Sequence, residues 1–159
     1  MNELILIVDD EPAILTTLSN ILGDEGYRTV TTTSGEEALT LYARDQPDVV
    51  FLDIWLPDRD GLETLGALLE IDPSAAVIMM SGHGTSATAV TAVKMGAHDY
   101  LEKPLSYDQT VSAIKAALAE KQVRASGGST EVLDAGRDRI ETGRSYDPPP
   151  TIPLLEETG

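Results

Sequence analysis

Asp9, Asp10 and Glu11 stand together immediately after the apolar run Leu4–Val8. Further along, Asp53 follows Val49–Leu52, Ser81 follows Ala76–Met80, and Lys103 lies just beyond the short run Asp99–Leu101. Three aspartates, a hydroxyl and an amine thus occupy comparable places, each where an apolar segment gives way to a polar one. Brought together, the carboxylates repel: one like-charge pair at ~4 Å costs on the order of 4 kcal/mol at an effective dielectric of about 20. Such a cluster needs a raised pKa, a cation, or both. A hard divalent cation with oxygen ligands is the natural partner, and Mg2+ keeps several waters and takes one or two protein carboxylates plus phosphate oxygens. Lys103 adds a compact positive charge, and the Ser81 hydroxyl can donate to a phosphoryl oxygen. The set suits transfer of a phosphoryl group onto a carboxylate, with charge stabilised from several directions.

Each residue alone has a plainer reading. Acids after a strand favour the macrodipole of the next helix whatever their function. Asp53 reads as a cap or loop residue, and Ser81-Gly82 as turn chemistry. Tyr100 reads equally well as a half-buried strand aromatic. His83, two residues after Ser81, reads as a surface loop residue more than as one that orients water, and His98 as structural or exposed. Met79, Met80 and Met95 read as core packing. Trp55 either gates access to Asp53 or covers apolar surface. Only the conjunction of Asp9, Asp10, Asp53 and Lys103 on neighbouring strand ends raises the acids above these readings.

The elements that must position them alternate in kind. Leu4–Val8 is a continuous β-rich run, the pattern of a strand buried on both faces. Glu11-Pro12 opens a helix with Pro near its first position, and Ile14, Leu15, Leu18, Ile21 and Leu22 recur at helical spacing up to Gly23 and Gly26. Arg28–Thr32 is a second strand. Ser34 caps a helix over about Gly35–Asp45, with Glu37 completing a capping box and Pro47 ending the element. Val49–Leu52 is the third strand. The loop from Asp53 to Gly61 leads into a helix carrying Leu62, Leu65, Leu68 and Leu69, which Asp72-Pro73 stops. Ala76–Met80 is the fourth strand, and after Ser81–Gly84 a helix runs to about Met95 with Gly96 at C′. Asp99–Leu101 is the fifth strand, and Tyr107 to about Lys121 the last helix. Five strands alternating with five helices predict an α/β doubly wound parallel sheet with right-handed crossovers. Such sheets bind ligands beyond the carboxyl ends of their strands, where the acids, the hydroxyl and the amine fall.

Composition narrows the function. With 27 acidic against 11 basic residues the net charge is −16, which disfavours direct binding to nucleic acid or anionic lipid. There is no Cys, hence no disulfide framework or thiolate metal site. No apolar stretch approaches the ~18 residues of a membrane span, and Met1-Asn2-Glu3 lacks the basic region of a signal peptide, so a cytoplasmic location is expected. Residues 1–122 are expected to form the domain. In 123–159, the segment Ala125–Ser129 has linker composition, Pro148-Pro149-Pro150 forbids regular helix, and the rest has too few apolar residues for a core. This is expected to be a flexible tail, a docking segment, or the connection to an output domain.

Taken together, Val8-Asp9-Asp10-Glu11, Leu52-Asp53-Ile54, Pro57 with Gly61, Met80-Ser81-Gly82 and Lys103-Pro104 resemble the response-regulator receiver domains of two-component systems, in order and at similar spacing. The resemblance covers residues 3–121. Asp53-Ile54-Trp55-Leu56, Met80-Ser81-Gly82-His83-Gly84 and Glu102-Lys103-Pro104 look most like receivers of the NtrC/NtrX group. The resemblance implies a flavodoxin-like sheet of order 2-1-3-4-5 and a phosphorylation-dependent switch that catalyses only its own phosphorylation and dephosphorylation. It implies that Asp53 is the phosphoacceptor, and that Asp9, Asp10, Asp53 and the Trp55 carbonyl hold Mg2+. Ser81 would bind a phosphoryl oxygen and act as switch with Tyr100, while Lys103 pairs with the acceptor beside a cis Pro104. The implied partner is a sensor histidine kinase or phosphotransfer protein. The implied output and dimer face combines helix 4, strand 5 and helix 5, with Ala89, Val90, Val93, Lys94, Val111, Ile114 and Lys115.

Three other functions fit less well. A haloacid-dehalogenase-like phosphatase wants a second Asp two residues after its nucleophile and a cap insertion, and neither is present. A flavodoxin-like nucleotide binder wants a Gly- or hydroxyl-rich phosphate cradle after strand one, where this chain has acids. A degenerate receiver used only for binding would not keep the full set of acid, hydroxyl and amine.

Overall fold

The strands follow from runs of apolar residues that need cover on both sides. In the computed structural model, which describes residues 2–82 and 86–125, these are β1 (Leu4–Val8), β2 (Arg28–Thr32), β3 (Val49–Asp53), β4 (Val77–Ser81) and β5 (Asp99–Glu102). All pairs are parallel and the order is β2-β1-β3-β4-β5, so the expected doubly wound sheet is present. Every residue of β3 and β4 is buried, whereas the edge strands β2 and β5 are partly exposed. The helices are α1 (Pro12–Asp24), α2 (Gly35–Asp45), α3 (Gly61–Ile71), α4 (Ser86–Met95) and α5 (Tyr107–Ala125). His83 and residues 126–159 lie outside the described residues, and with them most of the expected tail.

Alternation along the strands divides the core in two. Leu6, Val8, Val50, Leu52 and Met79 face a cluster that includes Leu41 of α2, Leu65 and Leu68 of α3, and Ala92 of α4. Ile5, Ile7, Val49, Phe51, Ile78 and Met80 face Leu18 and Leu22 of α1 and Ala113, Ile114 and Ala117 of α5. Met79 and Met80 are core residues on opposite faces, but Met95 is not: it ends α4 on the outside of the fold and is 39% exposed. Ile114, expected on the outer face of α5, is fully buried against the sheet.

Glycine closes α1 and α4 in the same way. Gly26 (φ +91°) and Gly96 (φ +122°) take a backbone conformation costly for other residues. Around them Gly26 N–H bonds Gly23 O and Tyr27 N–H bonds Leu22 O, as Gly96 bonds Val93 and Ala97 bonds Ala92. Both are Schellman closures. The capping box at α2 is only half made. Ser34 Oγ accepts from Glu37 N at 3.0 Å, but the Glu37 carboxylate accepts the Thr32 hydroxyl instead of reaching Ser34 N. Ser34 N donates to Thr32 Oγ1 at 3.1 Å, so the end of β2 stands in for the expected partner.

Three strands end one residue later than the sequence reading, at Asp53, Ser81 and Glu102. Asp53 and Ser81 look like loop residues by type, yet both continue the ladder. Asp53 pairs with Met80 and Ser81 with Glu102, while Ile54 N bonds Met80 O and Lys103 N bonds Ser81 O. The chemistry-bearing side chains therefore ride on, or immediately after, rigid strands.

Candidate functional site

Asp9 follows β1 and is fully buried. Its Oδ1 accepts the Glu11 N–H at 2.9 Å, a local bond at the mouth of α1, so the plain helix-start reading holds for that oxygen. Its Oδ2 lies 2.7 Å from Lys103 Nζ yet accepts no well-directed hydrogen bond and has no solvent access. Asp53, 3% exposed at the end of β3, presents Oδ2 to Lys103 Nζ at 3.3 Å and Oδ1 to the Trp55 N–H at 3.3 Å. Asp10 is exposed, and one carboxylate oxygen from each of Asp9, Asp10 and Asp53 falls within 4.8 Å of the others.

Glu11 was not singled out by residue type, but its Oε1 lies 3.2 Å from Lys103 Nζ. That contact spans 92 residues of sequence and has no local signal. Three acids, Asp9, Glu11 and Asp53, thus share one amine. Burial, then the charge of Asp9, push Asp53 up to about 6 against the opposing pull of Lys103 and the Trp55 N–H. Burial by itself draws the Lys103 amine down, but the Asp9 contact and the charges of Asp53 and Asp9 outweigh it and hold the amine above its ordinary value.

Asp10, Glu11, Ile14, Asp53, Trp55, Gly82, Lys103 and Pro104 line an open cleft over these groups. Ser81 is fully buried at the end of β4, one position beyond the register partner of Asp53. Trp55 is 57% exposed beside the cleft, so it covers little apolar surface. The Lys103–Pro104 peptide bond is cis. Gly61 is required by close approach: a Cβ there would lie 2.4 Å from Asp53 O and 2.6 Å from Ile54 Cα. Tyr100 already points inward, with its hydroxyl buried and without a hydrogen-bond partner among the described residues. His98 is half-buried and joins its Nδ1 to the Glu120 carboxylate.

A family model for the response regulator receiver domain matches residues 5–115. The chain belongs to this family. The receiver is 44% identical over 122 residues to the nitrogen assimilation regulatory protein NtrX of Azorhizobium caulinodans, covering 76% of this chain and 27% of that protein. It superposes on the crystal structure of the NtrX receiver domain from Brucella abortus with a TM-score of 0.70 at 42% identity, covering 72% of this chain and 98% of that one. The solution structure of the beryllofluoride-activated NtrC4 receiver domain dimer matches with a TM-score of 0.72 at 40% identity, covering 74% and 98%. The receiver spans about a quarter of the length of the curated NtrX relatives it matches. A receiver operates as a phosphorylation-driven switch and catalyses only its own phosphorylation and dephosphorylation.

The donor set fits a divalent cation. It is all oxygen, it carries more negative charge than Lys103 neutralises, and it includes the buried Asp9 Oδ2, which meets only the shared Lys103 ammonium among the described residues. Among the described residues no helix is long and apolar enough to cross a membrane.

Proposed function

We propose that Asp53 is the phosphoacceptor and that Asp9, Asp10, Asp53 and the Trp55 carbonyl hold Mg2+. The observation that carries this reading is the single amine of Lys103, ion-paired at once to Asp9, Glu11 and Asp53. An Asp53 oxygen attacks the phosphorus of a phosphohistidine on a sensor kinase or phosphotransfer protein; the P–N bond breaks and the imidazole leaves with the bonding pair. Bound Mg2+ supplies positive charge to the phosphoryl oxygens. Lys103, already held between the acids, supplies a second charge without rearranging. The Trp55 N–H steadies Oδ1 of the nucleophile. Ser81 is the hydroxyl that binds a phosphoryl oxygen from the neighbouring strand.

Residues 1–122 are the switching unit and 123–159 its connection to an output. The output face combines α4, β5 and α5. Val90 and Val93 of α4 are each 51% exposed; Lys94 and Lys115 are exposed, and Ala89 and Val111 half-buried. A second receiver is the partner this face suits. Tyr100 of β5, whose hydroxyl is buried beside the core, communicates the change. Moving from mostly inactive to mostly active takes about 5.5 kcal/mol of differential stabilisation, within reach of charge-assisted bonds to a phosphoryl group.

Beryllofluoride with Mg2+ is expected to change self-association in ultracentrifugation and to shift amide signals from Ser81 through Tyr107. Ser81→Ala should weaken that response while Asp53 still accepts phosphate. Shifts confined to the cleft would remove α4–β5–α5 as the output face.

A further inference from the structure

The loop from Ile54 to Asp60 leaves Asp53 and carries the Trp55 backbone past the acids. At its near end Gly61 N–H bonds Ile54 O at 2.8 Å, and Trp55 bridges Asp60. Its far end is held to α2 by Asp58, with Arg59 beside it. Asp58 accepts from Gly35 N at 2.9 Å, Glu36 N at 3.0 Å and the Ser34 hydroxyl at 2.9 Å. Arg59 reinforces the contact: its Nη1 meets Glu36 Oε1 at 2.9 Å, and its stem lies where a Cβ on Gly35 would fall.

Helix capping alone does not account for Asp58. Ser34 already caps α2 from the adjacent position, whereas Asp58 reaches the same helix from more than twenty residues away and takes two further N–H groups. The same turn also holds the other acid-bearing segment, because Asp9 N donates to Thr32 O at 3.1 Å and the Thr32 hydroxyl is fixed by Glu37. The start of α2 is therefore a common post for the segments that carry Asp9 and Asp53.

We propose that Asp58 is a positioning residue for the chemistry at Asp53: it clamps the loop after the acceptor to α2 and so fixes the Trp55 backbone at the cation site. This rests on the reading of the Mg2+ site given above. Asp58 is exposed, so its loss releases the loop without opening the core. Its oxygens are turned to α2, and its effect on the cation is through backbone placement.

Trp55 is the single tryptophan and lines the cleft, so its fluorescence reports Mg2+ titration of the whole chain, with calorimetry as an independent readout. Asp58→Ala is expected to raise the Mg2+ dissociation constant about tenfold, as loss of an outer support of a metal site does, and to move the Trp55 amide signal. Asp58→Asn keeps an acceptor oxygen without the charge and should retain most of the affinity. Tyr42→Phe, which loosens the opposite end of α2, should lower the melting temperature and leave Mg2+ affinity at the parent value. If Asp58→Ala fails to fold, Asp58→Ser takes its place with the same expected loss. Parent-like affinity in Asp58→Ala overturns the clamp, and so does Asp58→Asn binding as weakly as Asp58→Ala, since charge alone would then explain the loss. A parent chain that binds no Mg2+ overturns the site reading itself and the clamp with it.

Discussion

Asp53 holds its proton more tightly in the folded chain than in the unfolded one. Its carboxyl rises from an ordinary 3.8 to about 6 through burial and the charge of Asp9. The contribution to stability is fully present below pH 3.8 and is lost as pH rises through about 6. The difference amounts to about 3 kcal/mol, and Asp53 is nearly inaccessible to the water that would screen it. Asn has the same shape and no such ionisation. In chelator, Asp53→Asn is therefore expected to be more stable than the parent at about pH 7.5, by up to about 3 kcal/mol, with the gap closing at about pH 4. Urea unfolding across that range measures it, and the slope m should be unchanged because the surface exposed on unfolding is the same. Mg2+ at 100 times its dissociation constant should add about 2.7 kcal/mol to the parent and much less to the variant, narrowing the gap at neutral pH. An Asp53→Asn chain no more stable than the parent at about pH 7.5, or a gap independent of pH, would refute the account of crowded, under-neutralised acids.

Other consequences are equally direct. Gly61→Ala forces a methyl group into the Asp53 and Ile54 backbone and strains the Gly61 N–H bond; it should destabilise by about 2–4 kcal/mol in urea unfolding, and a change below about 0.5 kcal/mol would contradict the packing. Tyr42 donates to Asp72 Oδ2 at 2.7 Å. Burial pushes Asp72 up, but bonds from Ser74 and Tyr42 outweigh it and hold the carboxyl down at about 2. Tyr42→Phe should cost about 1 kcal/mol near neutral pH, and thermal melts should show the difference shrinking as pH falls from about 4 towards 2, where the parent's Asp72 protonates.

Residue type revealed the site because its members interrupt strongly apolar strands. Asp9, Asp53, Ser81 and Lys103 are polar at positions where β1, β3, β4 and β5 end, and parallel pairing brings such ends together at one edge. What escaped the sequence depends on contacts across the fold. Glu11 sits in a visible acidic triplet, but its pairing with Lys103 needs β1 and β5 placed on opposite sides of β3 and β4. Asp58 reads as one more loop acid until α2 is docked beside it. Ile114 and Met95 show the limit of helical periodicity, which gives a spacing but not which face the sheet covers. The half-made capping box at Ser34 is local, yet Thr32 of the preceding strand takes the bond that local pattern assigned to Ser34.

Incubating the chain with acetyl phosphate and Mg2+, then mapping the acid-labile phosphoryl group by borohydride trapping and peptide mass spectrometry, identifies the phosphoacceptor without a kinase. Modification is expected at Asp53, abolished by Asp53→Asn and by chelator. Modification at Asp9, Asp10 or Glu11 in the parent, or undiminished incorporation in Asp53→Asn, would contradict it.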